Sequence, residues 1–346
     1  MRSGDFRTSY QADMAIFDSD LSRWLLAVFG IALLAFPAVA TSYWLDVINR
    51  VGIAVIAALG LNVLTGFTGQ ISLGNAAFLS VGAYTTAWLA GKGVPFIVAM
   101  YVSGLVSALV GMVFGIPSLR LKGLYLAIAT LAAHFIIEFV VVHWEAVTGG
   151  VNGISVPSAQ LGPFAFDTDK RLYYLVLAAA AFHLWFAKNL FRTRMGKAFI
   201  AVRDHDISAE VMGVNVFKYK LYAFAISSFF VGVAGSLLAY QAKIISPENF
   251  PLGVAIDQLG MIIIGGLGSV LGSILGAAFI TLLPEFLRLL TSALSAWFPG
   301  LVQLFAALKL GVFGLTIVLF LIFEPDGMAA RWHRIKAYWK LYPFSY

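Results

Sequence analysis

A polar stretch between two long apolar runs carries the residues whose types could do chemistry. It reads GFTGQISLGN over residues 66–75, with three glycines, two hydroxyl side chains and two amides. Irregular backbone at membrane depth must be buried in protein or line a watery path, because its N–H and C=O groups need partners. We therefore predict a pathway-lining broken helix; the alternative is a plain loop between two helices. The residues predicted to line or shape the path here are Gly66, Gly69, Gln70, Ser72 and Asn75.

A second interruption reads IGGLGSVLGS over residues 264–273. Paired glycine-broken spans in two parts of a chain point to the substrate site of a transporter with internal repeats. Gly265 and Gly266 are therefore added to the predicted path. The next glycines recur every four residues, which instead favours close packing between helices: Gly268, Gly272 and Gly276.

The connection over residues 189–217 is charged, yet its pattern indicates ordered structure. Its apolar residues lie among good helix formers, which predicts two short helices: Phe199, Val202 and Val211. Asp204 or Asp206 could cap the second helix, and Gly213 would end it. Two such helices suit docking onto a soluble partner. The alternative is an ordinary solvated loop that holds positive charge on one side of a membrane.

Several classes of chemistry are excluded by residue type and spacing. There are no cysteines, which removes disulfides, thiolate metal sites and cysteine nucleophiles. The five histidines are scattered, so no metal site is predicted, and no catalytic arrangement of Ser, His and Asp stands out. No G-x-x-x-x-G-K-[ST] phosphate loop occurs, so any ATP must be used by a partner and no cofactor is predicted for the chain itself.

Three of the ionisable residues inside the apolar runs are candidates for a specific role, because charge is costly there. His134 and Glu138 are four residues apart on one helical face and predict a structural pair, with a proton relay as the alternative. Lys309 is either functional or snorkels to the membrane surface.

The elements that must hold these residues are transmembrane helices. The chain has 346 residues, of which 60% are hydrophobic and 12% charged, too few charges for a soluble body of this size. The apolar segments are apolar on every face, whereas the strands of a membrane β-barrel alternate in polarity. We predict an all-α polytopic bundle of about ten spans, near 24–43, 46–66, 75–91, 95–118, 123–143, 171–188, 218–240, 255–265, 268–290 and 301–323.

The distribution of positive charge predicts the topology. Most of the 23 Lys and Arg residues lie in the termini and in the connections near 119–122 and 189–217. Such residues resist translocation, which places these segments and both chain ends in the cytoplasm. The net charge of +6 is thereby explained without nucleic acid. We expect a cytoplasmic tail over residues 1–20, a membrane domain over 21–330 and a basic cytoplasmic end over 331–346. Helical spans favour the inner membrane over the outer one.

Four segments together resemble a known family. They read GFTGQISLGNAAFLSVGAYTTAWL, TRMGKAFIAVRDHDISAEVMGVNVFKYKLYAFAIS, GMIIIGGLGSVLGSILGAAF and LFLIFEPDGMA. In this order and spacing, from about residue 45 to 332, they resemble permease subunits of bacterial branched-chain amino-acid ABC importers, in particular the LivM type. Only the first twenty or so residues lie outside the resemblance.

The resemblance implies a set of partners and a coupling segment. Two related permeases would form the channel in the lipid bilayer, two ATPase subunits would bind beneath it, and a periplasmic binding protein would deliver leucine, isoleucine or valine. The family's coupling pattern is Glu-Ala-Ala followed by Gly; here the small residues Ser208 and Ala209 and the glycine Gly213 fit that pattern, whereas Ile207 stands in place of the leading Glu. The coupling unit would comprise Arg194, Gly196, Arg203, Asp204, Ala209 and Gly213.

Alternative functions follow from the same pattern. Similar permeases carry urea, short amides or aromatic acids, so the substrate could differ within the family. The charged connection over residues 189–217 argues against an ion-coupled secondary transporter. The two polar helix breaks argue against a purely structural scaffold.

Overall fold

The computed structural model describes residues 20–118, 121–161, 164–294 and 305–341, and these residues are almost entirely helical, as predicted. The described part contains fourteen α-helices: α1 Asp20–Val39, α2 Ser42–Leu64, α3 Asn75–Gly91, α4 Phe96–Ser118, α5 Leu124–His143, α6 Glu145–Thr148, α7 Asp169–Leu190, α8 Arg194–Asp204, α9 Asp206–Val211, α10 Val216–Ala242, α11 Leu252–Gly265, α12 Val270–Leu294, α13 Phe305–Phe323 and α14 Gly327–Leu341. Apart from Asp20, the predicted tail over residues 1–20 lies outside the described residues.

Two pairs of very short strands supplement the helices. Strand β1 (Ile154–Ser155) pairs antiparallel with β4 (Ile244–Ile245), and β2 (Gln160–Leu161) pairs antiparallel with β3 (Phe164–Ala165). Strands of two residues are too short to show an alternating pattern, so nothing in the sequence predicted them. The first pair joins the segment after α5 to the end of α10 on one end of the bundle.

Helix α10 forms the centre of the bundle and packs on α2, α3 and α4. Its middle turns are fully buried, including Phe230, Val231 and Leu237. Glycines bring the backbones of α3 and α10 into close contact. A Cβ atom added at Gly82 would lie 2.2 Å from the carbonyl oxygen of Gly232. This spacing leaves no room for a side chain, which explains why small residues recur on the facing sides of the two helices.

The contact between α3 and α10 yields a stability prediction. We expect Gly82→Ala to lower the free energy of unfolding by roughly 2 kcal/mol, since two packed backbones must separate to accept a methyl group. The matched control is Gly91→Ala at the end of the same helix, where an added Cβ meets nothing within 4 Å. Thermal unfolding of the detergent-solubilised protein checks both variants. Equal midpoints for Gly82→Ala and Gly91→Ala would contradict the close contact.

The helices identify a multi-pass membrane protein. Five of those in the described part are each long and apolar enough to cross a membrane, and up to seven spans result if each of two bent helix pairs counts as one. Large apolar side chains point outward, such as Phe139 at 63% exposed and Leu310 at 73% exposed. An apolar outer surface of this kind is stable in hydrocarbon and would aggregate in water. The predicted number of ten spans stays a prediction, because helices such as α3 and α11 are shorter.

Three segments between the long helices position the candidate functional residues. We call residues 65–74, between α2 and α3, the first break, and residues 266–269, between α11 and α12, the second break. Residues 189–217, which include α8 and α9, are the connection. All three occur at the same end of the bundle, because their residues contact one another directly.

Candidate functional site at the junction of the two breaks

A buried asparagine in α2 ties the second break to the first. Asn62 is only 1% exposed. Its Nδ2 donates hydrogen bonds to the carbonyl oxygen of Ser269 at 2.9 Å and to the hydroxyl of Ser273 at 2.8 Å. Its Oδ1 accepts from the backbone N–H of Gly268 at 2.9 Å. One side chain thus pairs the backbone N–H of Gly268 and adds a hydrogen bond to the carbonyl oxygen of Ser269, which also accepts from the N–H of Ser273 at the start of α12.

Glycines allow the two breaks to touch. A Cβ atom added at Gly66 would lie 1.8 Å from Asn62 Oδ1 and 2.3 Å from the backbone nitrogen of Gly268. Gly268 itself has a φ of +72°, a backbone conformation that favours glycine. Two neighbouring positions are therefore restricted to glycine, Gly66 by close approach and Gly268 by its backbone angle.

Arg203, near the end of α8, links the connection to this junction. Its Nη1 donates a hydrogen bond to the carbonyl oxygen of Gly66 at 3.1 Å, and its Nε donates to Asp204 Oδ1 at 2.9 Å. The aliphatic part of the arginine lies over Gly69, where an added Cβ would be 3.1 Å from Arg203 Cγ. Gly69 has a φ of +71°. Both breaks and the connection thus meet around one guanidinium group.

Helix α8 is fixed to the bundle by its apolar side. Phe199 is fully buried and Val202 is 4% exposed. At the start of the helix, the Thr193 hydroxyl accepts a hydrogen bond from the N–H of Gly196 at 3.4 Å. A Cβ at Gly196 would lie 2.4 Å from the Cα of Phe191, so this glycine lets α8 turn tightly away from α7. Arg194, the first residue of α8, is exposed.

Helix α9 starts differently from the sequence prediction. His205, not Asp204 or Asp206, occupies the capping position, because Asp204 ends α8 and Asp206 is already the first residue of α9. Ala209 faces the bundle at 5% exposed. Gly213 has a φ of +87° just beyond the helix, as expected for the residue that closes it.

Asp206 joins the connection to two other segments by ion pairs. Its Oδ2 lies 2.5 Å from Lys122 Nζ, in the segment before α5, and 3.6 Å from Lys220 Nζ on α10. The hydrogen bond from Lys122 is the main reason that the pKa of Asp206 lies below its ordinary value; desolvation opposes it, and the positive charges of Lys122 and Lys220 add to it. The carboxylate is therefore ionised at neutral pH.

A family model described as "Branched-chain amino acid transport system / permease component" matches residues 43–321, which is most of the chain. The chain belongs to this permease family. The match includes both breaks and the connection, and it confirms the resemblance stated above. No solved structure matches the permease.

Individual relatives agree with the family. The permease is 33% identical over 290 residues to the high-affinity branched-chain amino acid transport system permease protein LivM of Salmonella typhimurium, covering 77% of this chain and 68% of the relative. It is 32% identical to LivM of Escherichia coli K12, covering 73% and 66%. The autoinducer 2 import system permease protein LsrC of Escherichia coli O9:H4 is 25% identical, covering 79% and 76%. The permease thus spans about two thirds of the length of the LivM relatives.

The amide and hydroxyl residues predicted for the path are all buried, but they have different surroundings. Asn75 Nδ2 donates to the side-chain Oε1 of Gln258 on α11. The Ser72 hydroxyl accepts from the N–H of Gly74 at 3.3 Å. Gln70 is 3% exposed, and neither atom of its amide group has a hydrogen-bond partner among the described residues. Asn75 therefore connects α3 to α11, whereas Gln70 faces the connection.

The glycines in and next to the second break lie against backbone. A Cβ at Gly265 would be 2.0 Å from the carbonyl oxygen of Gly272, and one at Gly276 would be 1.7 Å from that of Met261. Gly266 has a φ of +120° and lies beside Gly327 at the start of α14. The packing predicted for Gly272 and Gly276 is present. The predicted path residues therefore lie in three different places: at the junction, at the contact between α3 and α11, and in the closely packed second break.

The ionisable residues His134, Glu138 and Lys309 are not held in hydrogen-bonded pairs by any residue that the structure describes. His134 Nε2 lies 3.7 Å from Glu138 Oε2, and neither ring nitrogen has a hydrogen-bond partner in the described part of the permease. Lys309 on α13 interacts electrostatically with Asp257 on α11. The same described residues contain no group of three or more His, Asp and Glu side chains placed to hold a metal ion.

Sequence reasoning missed three residues that organise the site. Asn62 and Gln258 are single amides inside apolar runs, and a polar residue at membrane depth is itself a signal of a specific partner. Lys220 is only 11% exposed at its side chain, although it lies two positions after Lys218 in a charged segment. Its burial depends on the fold of the connection, which no local pattern reveals.

Proposed function

We propose that the chain is a permease subunit of an ATP-driven importer of branched-chain amino acids. The observation that carries the proposal is the hydrogen bond from Arg203 to Gly66, because it joins the charged connection to the first break, which Asn62 in turn joins to the second break. A partner that moves the connection would thereby move the breaks. The LivM relatives named above are transport permeases for branched-chain amino acids, which supports the substrate class.

The connection is the proposed docking site for an ATPase subunit, in the cytoplasm. Helix α9 exposes three large apolar side chains at a polar end of the molecule: Ile207 at 63%, Val211 at 82% and Met212 at 83%. Contiguous exposed apolar groups among polar neighbours are typical of protein interfaces. In this proposal Arg194 and Asp204 contribute charge to the contact, while Gly196, Ala209 and Gly213 shape the two helices.

Docking predicts a loss of association when α9 becomes polar. We expect Val211→Asp to reduce the amount of ATPase subunit that co-purifies in mild detergent by about tenfold, since a desolvated interface does not accept an unpaired carboxylate. The matched control is Val151→Asp at the other end of the bundle, where the valine is 70% exposed. Co-purification from cells that express the whole transporter provides the measurement. Equal recovery with both variants would place the ATPase elsewhere.

The proposed transport cycle follows from these contacts. ATP binding would draw two ATPases together and displace α8 and α9. Arg203 would pass that displacement to the first break through Gly66, and Asn62 would pass it to the second break. The two breaks would then shift the helices between outward-open and inward-open arrangements, each favoured by a different ligand. Ser72 and Asn75 are proposed to line the path between this chain and a second, related permease, and Gln70 to shape it from the side that faces the connection.

The proposed topology has ten spans and both termini in the cytoplasm of a bacterium. Hydrogen bonds support this topology, because they place both breaks and the connection at the same end of the bundle. Between each of these segments and the next, the chain must therefore cross the membrane and return. Helices α3 and α11 would count as spans although they have 17 and 14 residues. Residues 1–20 form the proposed tail, residues 21–330 the membrane domain and residues 331–346 the basic end. The inner membrane is the proposed location, with a periplasmic binding protein at the opposite end.

Uptake of labelled leucine tests the function directly. The assay compares deletion cells that lack this chain with complemented cells that express it, and labelled urea serves as a parallel tracer. We expect the chain to restore leucine uptake that survives collapse of the proton gradient and fails when ATP is depleted. An ion-coupled transporter would show the reverse dependence. Unchanged leucine uptake with lost urea uptake would keep the permease assignment and move the substrate to another small solute.

A further inference from the structure

A cavity of about 330 Å³ opens beside the junction, between the first break, the segment before α5 and the connection. This volume is in the range of small-molecule sites. Its charged lining consists of three basic side chains and two acidic ones, with a histidine: Lys122, Arg203, Lys220, Asp204, Asp206 and His205. The cavity lies at the end of the bundle that carries the connection, which is the proposed cytoplasmic end.

The polar groups of this cavity have unused hydrogen-bonding capacity. Lys220 has only 11% of its side chain exposed, and its contact with Asp206 is 3.6 Å, longer than a hydrogen bond. Gln70 also lines the cavity, is 3% exposed and has no partner for either amide atom within the described residues. A buried ammonium whose ion pair with Asp206 is too long for a hydrogen bond, and a buried amide without a partner, are each costly. A ligand with acceptor oxygens would satisfy both.

The charge and shape of the lining define the ligand class. Three basic groups against two carboxylates leave an excess of one positive charge, so the ligand is an anion. Phosphate oxygens would accept from Lys220 and from Gln70 Nε2, and a hydroxyl of the same ligand would donate to Gln70 Oε1. Close to the cavity, the first turns of α5 expose Leu124 and Tyr125, each 73% exposed, as an apolar surface along which acyl chains could lie.

We propose that this cavity binds a phosphate-bearing anion, most simply the headgroup of an anionic phospholipid with free hydroxyls such as phosphatidylglycerol. Basic pockets between helices on the cytoplasmic side are a known physical basis for headgroup binding. Inorganic phosphate shares the chemistry and is the other possible source. The occupied site would join the first break to the connection, so the ligand would act on the segments through which ATP-driven motion is proposed to pass.

The test uses the complete transporter in nanodiscs of phosphatidylcholine, with phosphatidylglycerol added in steps, and bound lipid is measured by native mass spectrometry. We expect retained phosphatidylglycerol with the natural sequence and about fivefold weaker retention for Lys122→Gln, since each basic residue near an anionic lipid contributes about that factor. Lys218→Gln is the matched control, because Lys218 lies on α10 over the Tyr222 ring and outside the cavity. It should retain the lipid normally.

A second variant, Gln70→Leu, and a titration with inorganic phosphate complete the test. Gln70→Leu breaks no ion pair and replaces an unpartnered amide by an apolar group, so it should fold and still weaken lipid retention. Inorganic phosphate, titrated into pure phosphatidylcholine discs, should raise the thermal midpoint of the natural sequence but not of Lys122→Gln if the soluble anion is the ligand. Equal retention by the natural sequence, Lys122→Gln and Gln70→Leu, with no effect of phosphate, would overturn the proposal.

Discussion

Gly66→Ala is expected to separate the two breaks and to lower the free energy of unfolding by about 3 kcal/mol, at the upper end of overpacking costs. The added methyl group would lie 2.3 Å from the backbone nitrogen of Gly268, which has no freedom to move aside as a side chain would. It would also displace the Asn62 amide, which makes three hydrogen bonds to the second break and the start of α12. The loss would appear as a lower thermal midpoint and a smaller monodisperse fraction in detergent.

The control for Gly66→Ala is a glycine in an open position. Gly253, in the first turn of α11, has nothing within 4 Å of an added Cβ, so Gly253→Ala should leave the midpoint unchanged or raise it slightly. A midpoint for Gly66→Ala equal to that of Gly253→Ala would show that the breaks do not pack as described.

Arg203→Gln is expected to reduce leucine uptake by about tenfold while the protein remains in the membrane in normal amounts. Glutamine is too short to reach the Gly66 carbonyl oxygen that Arg203 Nη1 contacts at 3.1 Å. The buried residues Phe199 and Val202 still hold α8 in place, so folding should be preserved. A tenfold effect corresponds to ~1.4 kcal/mol of coupling between the sites, which is within the usual range.

The decisive measurement is the number of ATP molecules hydrolysed per leucine transported in reconstituted vesicles. This ratio should rise in Arg203→Gln because hydrolysis continues without the full movement of the breaks. Lys197→Gln removes a positive charge from the exposed side of the same helix and should leave the ratio unchanged. An unchanged ratio in Arg203→Gln would assign the arginine a purely structural role.

The sequence predicted the elements of the fold well because each leaves a local signal. Apolar runs identified the helices, and clustered glycines and hydroxyls identified both breaks. Helix ends were less accurate: the spans predicted near 24–43 and 46–66 are separated instead at Ala40 and Thr41. Hydropathy misplaced that boundary because Tyr43 and Trp44 continue the apolar run beyond Thr41, whose extended backbone marks the start of α2.

The meeting of the two breaks could not be predicted from local patterns. Asn62 and Gly268 are 206 positions apart, and nothing near either residue specifies the other. The same limit applies to Arg203, which could be recognised as part of a charged connection but not as the partner of a carbonyl group 137 positions earlier. Residue type indicates that a buried polar group needs a partner, whereas the identity of the partner is a property of the packed helices.

The contact between Gly327 and the second break has a consequence for the order in which the protein is made. A Cβ at Gly327 would lie 2.5 Å from the backbone nitrogen of Gly266, so the start of α14 forms one wall of the second break. A ribosome delivers the chain from its N-terminus, and α14 is among the last segments to emerge. Most helices can thus insert and pair during synthesis, while the second break gains this wall only when α14 has emerged. A nascent chain stalled before α14 would be inserted in the membrane yet incomplete at the second break, which gives quality-control proteases a physical basis for distinguishing it from the finished protein.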